Sequence, residues 1–237
     1  MQPLPQVQAQ KKRSPWLYVG LGCGGLLLLG VVGFGLIAYF VSSKVDEYKE
    51  EQNNPLVRTR KAKRLLGAKE LPEPYEALMT MSFPLVMDMV MLGRPAEEGS
   101  GTHGFTYFHV LQDVPNVKKV REYTEGKRES PGALVGDDFQ LEAHEVLRRG
   151  ELPFPHHKVR YVSQRGRFSY GTDVSTRGLS ALVLFECPGN SQMRVGVWYT
   201  PDVDPHAEAD APELAGTPAD EEAVRAFVSH FDPCQQT

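Results

Sequence analysis

The sequence predicts an α+β protein: an N-terminal transmembrane helix, then a mainly antiparallel sheet with a short basic helix and a C-terminal closing helix. Three observations predict it. One uncharged apolar run is long enough to cross a bilayer, several later segments alternate apolar and polar residues with a period of two, and two stretches carry helix start and stop signals.

No residue from 14 to 43 carries a formal charge, and residues 16–41 are mostly Leu, Val, Gly and aromatic side chains. At a rise of 1.5 Å, about 20 residues cross the roughly 30 Å hydrocarbon core, so this run spans it with tilt to spare. Trp16 and Tyr18 at one end, and Tyr39 and Phe40 at the other, suit the two interfaces. A cleaved signal peptide would have an apolar region of only about 7–15 residues followed by a small-x-small site, and neither fits. Gly20, Gly22 and Gly25 spell G-x-G-x-x-G, but a dinucleotide-binding turn needs water-accessible amides between a strand and a helix. Gly20 and Gly24 form a G-x-x-x-G, the spacing through which such helices approach, so a weak homodimer through this helix is an expected contact. Cys23 reads as a small buried residue, because Gly20 stands where a lipoprotein acceptor motif wants an aliphatic side chain.

Lys11, Lys12 and Arg13 precede the span, while Lys44 after it is followed by Asp46 and Glu47. The positive-inside rule then places the N-terminus in the cytoplasm and the C-terminal domain in the periplasm, held to the inner membrane. A second basic group, Arg58, Arg60, Lys61, Lys63 and Arg64, opposes this orientation but begins at the limit of the rule's reach. The expected divisions are a basic tail at 1–15, the transmembrane helix at 16–43, a polar stalk with a short basic helix at 44–71, and a soluble α+β domain at 72–237. Removing the three basic residues of 1–43 from totals of 26 basic and 30 acidic leaves 23 against 30, a net charge of −7. Such an acidic domain lacks the basic face of a nucleic-acid binder; the expected contacts are the lipid bilayer and a protein or envelope component.

Asn54 as N-cap, Pro55 at the first helical position and Gly67 as the stop define a basic helix over residues 55–66. From 79 to 91 the odd positions are Met79, Met81, Phe83, Leu85, Met87, Met89 and Met91, the period of a strand with one apolar face, bent or divided at Pro84. Further strands are expected at 105–111, 140–147, 158–164, 179–186 and 193–200, with a short helix at 116–124 and about five to seven strands in all. The last two strands flank Cys-Pro-Gly-Asn-Ser-Gln and read as an antiparallel hairpin. Residues 202–216 read as a solvated loop. Thr217, Pro218 and Asp220 open a closing helix whose Ala223, Val224, Phe227, Val228 and Phe231 make one apolar face.

Cys187 ends a strand and Cys234 follows the closing helix, so a disulfide between them would staple helix to sheet in an oxidising compartment. Met79, Met81, Met87, Met89 and Met91 form the candidate metal site: thioethers are soft ligands that select Cu(I), and this stretch resembles the methionine-rich strands of exported bacterial copper-handling proteins. Phe83 and Leu85 share that parity, which favours a core role in which methionine fills irregular gaps. His103, His109, His144, His156 and His157 show no zinc spacing and read as surface residues. Asp202, Asp204, Glu208 and Asp210 lack the glycine and final glutamate of a calcium loop. Ser180 lacks the glycines of a nucleophile elbow, and adjacent Asp137 and Asp138 point apart. No catalytic residue and no cofactor are assigned.

In layout the chain resembles uncharacterised bacterial membrane proteins with a basic tail, one N-terminal anchor and a periplasmic α+β domain. In these a Cys-Pro-Gly ends a late strand, here Cys187, Pro188 and Gly189, and a helix like residues 226–231 precedes a terminal cysteine. A sheet closed by such a helix is also faintly similar to small periplasmic α/β sandwiches of the DcrB and PsbP type. The resemblance implies an architecture and no catalytic role. The sequence therefore points to an anchored extracytoplasmic module, non-enzymatic, that binds a protein or envelope component; the alternative is Cu(I) handling through the methionine-rich strand.

Overall fold

In the computed structural model, which describes residues 53–83, 85–94, 103–111, 115–135, 139–170, 174–202, 204–208 and 211–236, Asn54 starts the first helix as expected. Its side-chain oxygen accepts from the backbone N–H of Leu56 at 3.1 Å and of Val57 at 3.4 Å, satisfying donors that the first turn leaves open. This helix, α1 (Pro55–Leu66), ends where Gly67 turns left-handed at φ 62°, a conformation that glycine adopts without a Cβ clash. A Cβ at Gly67 would also strike the Asp232 carbonyl. The chain divides into two units, Met1–Glu50 and Glu51–Thr237. The expected transmembrane helix, with Cys23 and the glycine pair, belongs to the first and lies outside the described residues. Among the described residues no helix is long and apolar enough to cross a membrane.

Eight strands form one antiparallel sheet: β1 (Glu76–Phe83), β2 (Met87–Gly93), β3 (Gly104–Val110), β4 (Gly132–Val135), β5 (Phe139–Pro153), β6 (Lys158–Tyr170), β7 (Val174–Glu186) and β8 (Met193–Pro201). Their order is β1-β2-β3-β8-β7-β6-β5-β4. The chain meanders through the first three, crosses by α2 (Pro115–Thr124) to the far edge, and meanders back until β8 pairs with β3. The sheet thus exceeds the expected five to seven strands. The extra one, β4, is only four residues long and Gly-led, so it shows no readable alternation. Strands β5, β6 and β7 also run longer than their apolar segments, because polar residues such as Arg160, Arg165 and Arg167 continue the ladder where one side meets charge or water.

Both faces of the sheet are covered. On one, Leu65 and Leu66 of α1 and Val224, Phe227 and Val228 of α3 (Glu221–Val228) pack on Phe105, Tyr107, Val183 and Trp198. Gly196 on β8 has no side chain because a Cβ there would collide with the Phe105 ring. On the other face Val117, Val120 and Tyr123 of α2 pack with Phe108, Leu182, Leu184, Val195 and Val197. The closing helix begins later than the sequence suggests. Asp220 is its N-cap, accepting from Glu222 N at 3.0 Å, while Thr217 caps a preceding turn by accepting from Ala219 N at 3.2 Å. Phe231 lies beyond the helix yet is fully buried, stacked on Phe105 at 5.1 Å. The expected solvated loop after β8 is instead drawn onto the sheet: Arg165 binds Asp202 Oδ2 at 3.0 Å, Glu145 Oε2 at 2.8 Å and the Asp204 carbonyl at 3.2 Å. An arginine with several donors in a fixed fork can hold such a loop.

Candidate functional site

Strands β1 and β2 are the two halves of the methionine-rich stretch, divided between Phe83 and Met87. The division preserves parity across the turn: Met79 pairs with Met91, Met81 with Met89 and Phe83 with Met87, so all five methionines share one face. Met89 is only 1% exposed, and Met79, Met81 and Met91 are partly buried against the α2-side core. Four of the five thus serve as core side chains, and Met87 is half-buried beside them. Leu85 does not share their strand. It sits in the turn at φ 65°, a rare conformation for a side chain of its size.

Beyond the methionines, this hairpin holds four of the five large apolar side chains that are exposed among the described residues. Leu78, Phe83, Leu85 and Val86 are exposed, Leu85 by 80%, as is Leu56 at the start of α1. Leu78 falls where the β1–β2 register shifts, and β1 is the terminal strand of the sheet. An edge strand carries unpaired backbone donors and acceptors, and natural proteins usually blunt such edges with charge or proline. Here the edge carries large apolar groups, a pattern that marks recognition surfaces.

On the opposite face of the sheet a row of polar residues runs across β1, β2, β3 and β8. Cross-strand pairing aligns Ser82, Asp88, His109 and Arg194. His109 Nδ1 stands 3.7 Å from Asp88 Oδ2, an ion-pair distance, while its Nε2 donates to Gln192 Oε1 at 3.0 Å. Burial by itself would raise the Asp88 carboxyl, but the His109 and Ser82 side chains and the charge of Lys61 outweigh it and hold the group below the usual range. Arg194 is 1% exposed, and one of its nitrogens donates to Gln192 Oε1 at 3.4 Å. Its Nε and Nη1 find no hydrogen-bond acceptor among the described residues, and burial pushes its guanidinium down from the ordinary value. The Tyr107 hydroxyl, buried nearby, is pushed up by the same desolvation.

The order of this row matters chemically. The carboxylate lies between hydroxyl and imidazole, so His109 does not face Ser82 and cannot act as its base in the manner of a triad. The expected surface placement fails for two histidines. His109 is buried in this row, and His157 is buried with Nδ1 3.4 Å from Asp232 Oδ1 and its ring stacked on Phe154 at 5.0 Å. His144 and His156 are exposed as expected. Asp137, Asp138 and Asp210 lie outside the described residues.

Cys187 and Cys234 are joined in a disulfide with a Cα–Cα distance of 5.4 Å, as their positions at a strand end and after the closing helix suggest. His109 and Arg194 are the residues that sequence reasoning missed. A signal existed: each is a polar residue in the inward parity of an otherwise apolar run, Phe-Thr-Tyr-Phe-His-Val and Met-Arg-Val-Gly-Val. Comparison with family models, with curated proteins and with solved structures finds no match for this chain.

Proposed function

We propose that this protein is a membrane-anchored extracytoplasmic interaction module, non-enzymatic, whose β1–β2 hairpin receives a protein or envelope component. One observation carries the reading: four of the exposed large apolar side chains, Leu78, Phe83, Leu85 and Val86, lie within nine residues on the edge strand and its turn. A partner segment adding to β1 beyond Ala77, whose carbonyl already accepts from Arg58 Nε at 2.5 Å, would pair with the edge backbone while covering these side chains. The anchor that would hold the domain near its partner rests on the apolar run at 16–41.

A photo-crosslinking residue placed at Leu85 in the full chain in native membranes tests this, with the same residue at exposed Lys118 on α2 as control. A discrete adduct at Leu85 that is absent at Lys118 is the expected result. Identical patterns at both sites, or no adduct at either, would reject the proposal.

A second reading, Cu(I) handling, draws support from the pairing of Met79 with Met91 and of Met81 with Met89 on one face. The core packing of Met89 weighs against it. Titration with silver or Cu(I) that leaves the methyl resonances of Met79, Met81, Met87, Met89 and Met91 unmoved would eliminate it.

A further inference from the structure

The corner where the β7–β8 turn meets the C-terminus holds more chemistry than a staple requires. His157, Asp232 and Cys234 each offer a ligand atom, and these atoms all lie within 4.8 Å of one another. Cys187 adds a second sulfur through its bond to Cys234. The His157 side chain is 3% exposed; its Nδ1 faces Asp232 Oδ1 at 3.4 Å, and its Nε2 finds no hydrogen-bond partner among the described residues. A buried polar atom left unbonded costs about 1–3 kcal/mol, so a bare Nε2 beside an imidazole–carboxylate pair and two sulfurs is not what a purely structural corner would hold.

We propose that, once the disulfide is reduced, Cys187, Cys234, His157 and Asp232 bind one zinc-class divalent cation, so that disulfide and metal are alternative closures of the same corner. The donor set of two thiolates, one imidazole and one carboxylate is that of a four-coordinate zinc site. Ligand atoms at about 2.0–2.3 Å from a tetrahedral ion stand about 3.3–3.8 Å apart, against at most 4.8 Å among the His157, Asp232 and Cys234 atoms here; the Cys187 sulfur would have to turn in once its bond to Cys234 is reduced. The other groups are already held. Asp232 N–H donates to the Leu66 carbonyl at 3.1 Å, Gln235 Nε2 donates to Asp232 Oδ2 at 2.7 Å and leaves Oδ1 for an ion, and Phe154 N–H donates to the His157 carbonyl at 3.0 Å.

In the oxidised form the sulfurs are not thiolates, and only His157 and Asp232 remain, too few for a structural site. A dithiol reductant would transfer two electrons and two protons to the disulfide and become a disulfide itself. Both thiol protons then leave as the cation binds. A cleft of about 250 Å³ lined by His156, Cys187, Pro188, Asn190, Cys234 and Gln235 gives such a reagent access.

The test uses the full chain in detergent with Cys23→Ser to remove the third thiol, reduced by a phosphine and titrated with Co²⁺. One equivalent should bind with sulfur-to-cobalt charge-transfer bands and the intense visible bands of a tetrahedral site, and Zn²⁺ should displace it. The oxidised protein should bind none. His157→Gln should weaken binding by at least about tenfold. A second measurement needs no variant: Zn²⁺ should slow alkylation of Cys187 and Cys234 in the reduced protein by at least about tenfold. No tetrahedral spectrum, an affinity unchanged by His157→Gln, or alkylation indifferent to Zn²⁺ would each overturn the proposal. Thiolates of an unfolded chain would bind without His157, so that case also counts against it.

Discussion

Around the closing helix an apolar ring is enclosed on every side, whereas at the β1–β2 hairpin similar groups stand in solvent. Phe227 stacks on Trp198 at 4.5 Å and meets Tyr75, Phe105 and Phe231 at 5.2 to 5.4 Å. Trp198 in turn donates its indole N–H to Tyr75 Oη at 2.7 Å. Phe83, by contrast, is 43% exposed and Leu85 nearly bare. Hydrophobic side chains therefore stand in two unlike environments in one domain. Those of the first region lower the free energy of folding, while those of the second remain exposed and are the surface on which the proposed interaction rests.

The contrast is broken most directly at Phe227. Phe227→Ala removes a ring that no neighbour can replace and should cost about 3–5 kcal/mol, read as a lower urea midpoint with unchanged slope. A loss below about 1 kcal/mol would mean that the aromatic cluster does not hold the helix.

Acid should separate the two regions by pH window. His157, in the corner beside the closing helix, has a folded value below its unfolded one near 6.5, so its contribution is present above about 6.5 and is lost as pH falls below that. Asp88, on the hairpin, is also depressed, so its share persists to the unfolded carboxyl value near 3.9 and is lost only as pH falls through the folded value. Thermal melting should therefore show Tm dropping between pH 7 and 5 in the wild type. His157→Gln should flatten that drop, and Asp88→Asn should leave it alone.

The smallest stability effect is expected in the turn. Leu85→Gly places the residue best suited to φ 65° where a bulky side chain now sits, so stability should hold or rise by up to about 1 kcal/mol. The same change should weaken crosslinking from a probe at neighbouring Val86. A clear fall in Tm would show instead that Leu85 packs in the native state.

Much of this was legible before the fold was known. Asn54, Pro55 and Gly67 bound α1 to the residue, since a cap, a proline and a left-handed glycine act through the chain next to them. The Cys187–Gln192 turn likewise delivers its hairpin, with Gly189 at φ 73°. The candidate sites were legible only in part. The methionines were visible as a one-faced set, yet the pairing of Met79 with Met91 needed the chain to reverse between Phe83 and Met87. The polar row needed three strands, because Asp88, His109 and Arg194 are remote in sequence and meet only through register.

The sequence by itself determined local conformation, the apolar run at 16–41 and an antiparallel α+β composition, because caps, turn residues and two-residue periodicity are properties of neighbours along the chain. Only the tertiary structure decided the strand order with β3 beside β8, the burial of His109 and His157, and which apolar residues stay outside. Those depend on which surfaces meet across the sheet. The same Leu or Phe is core or contact surface according to what lies over it, and alternation along one strand cannot say which.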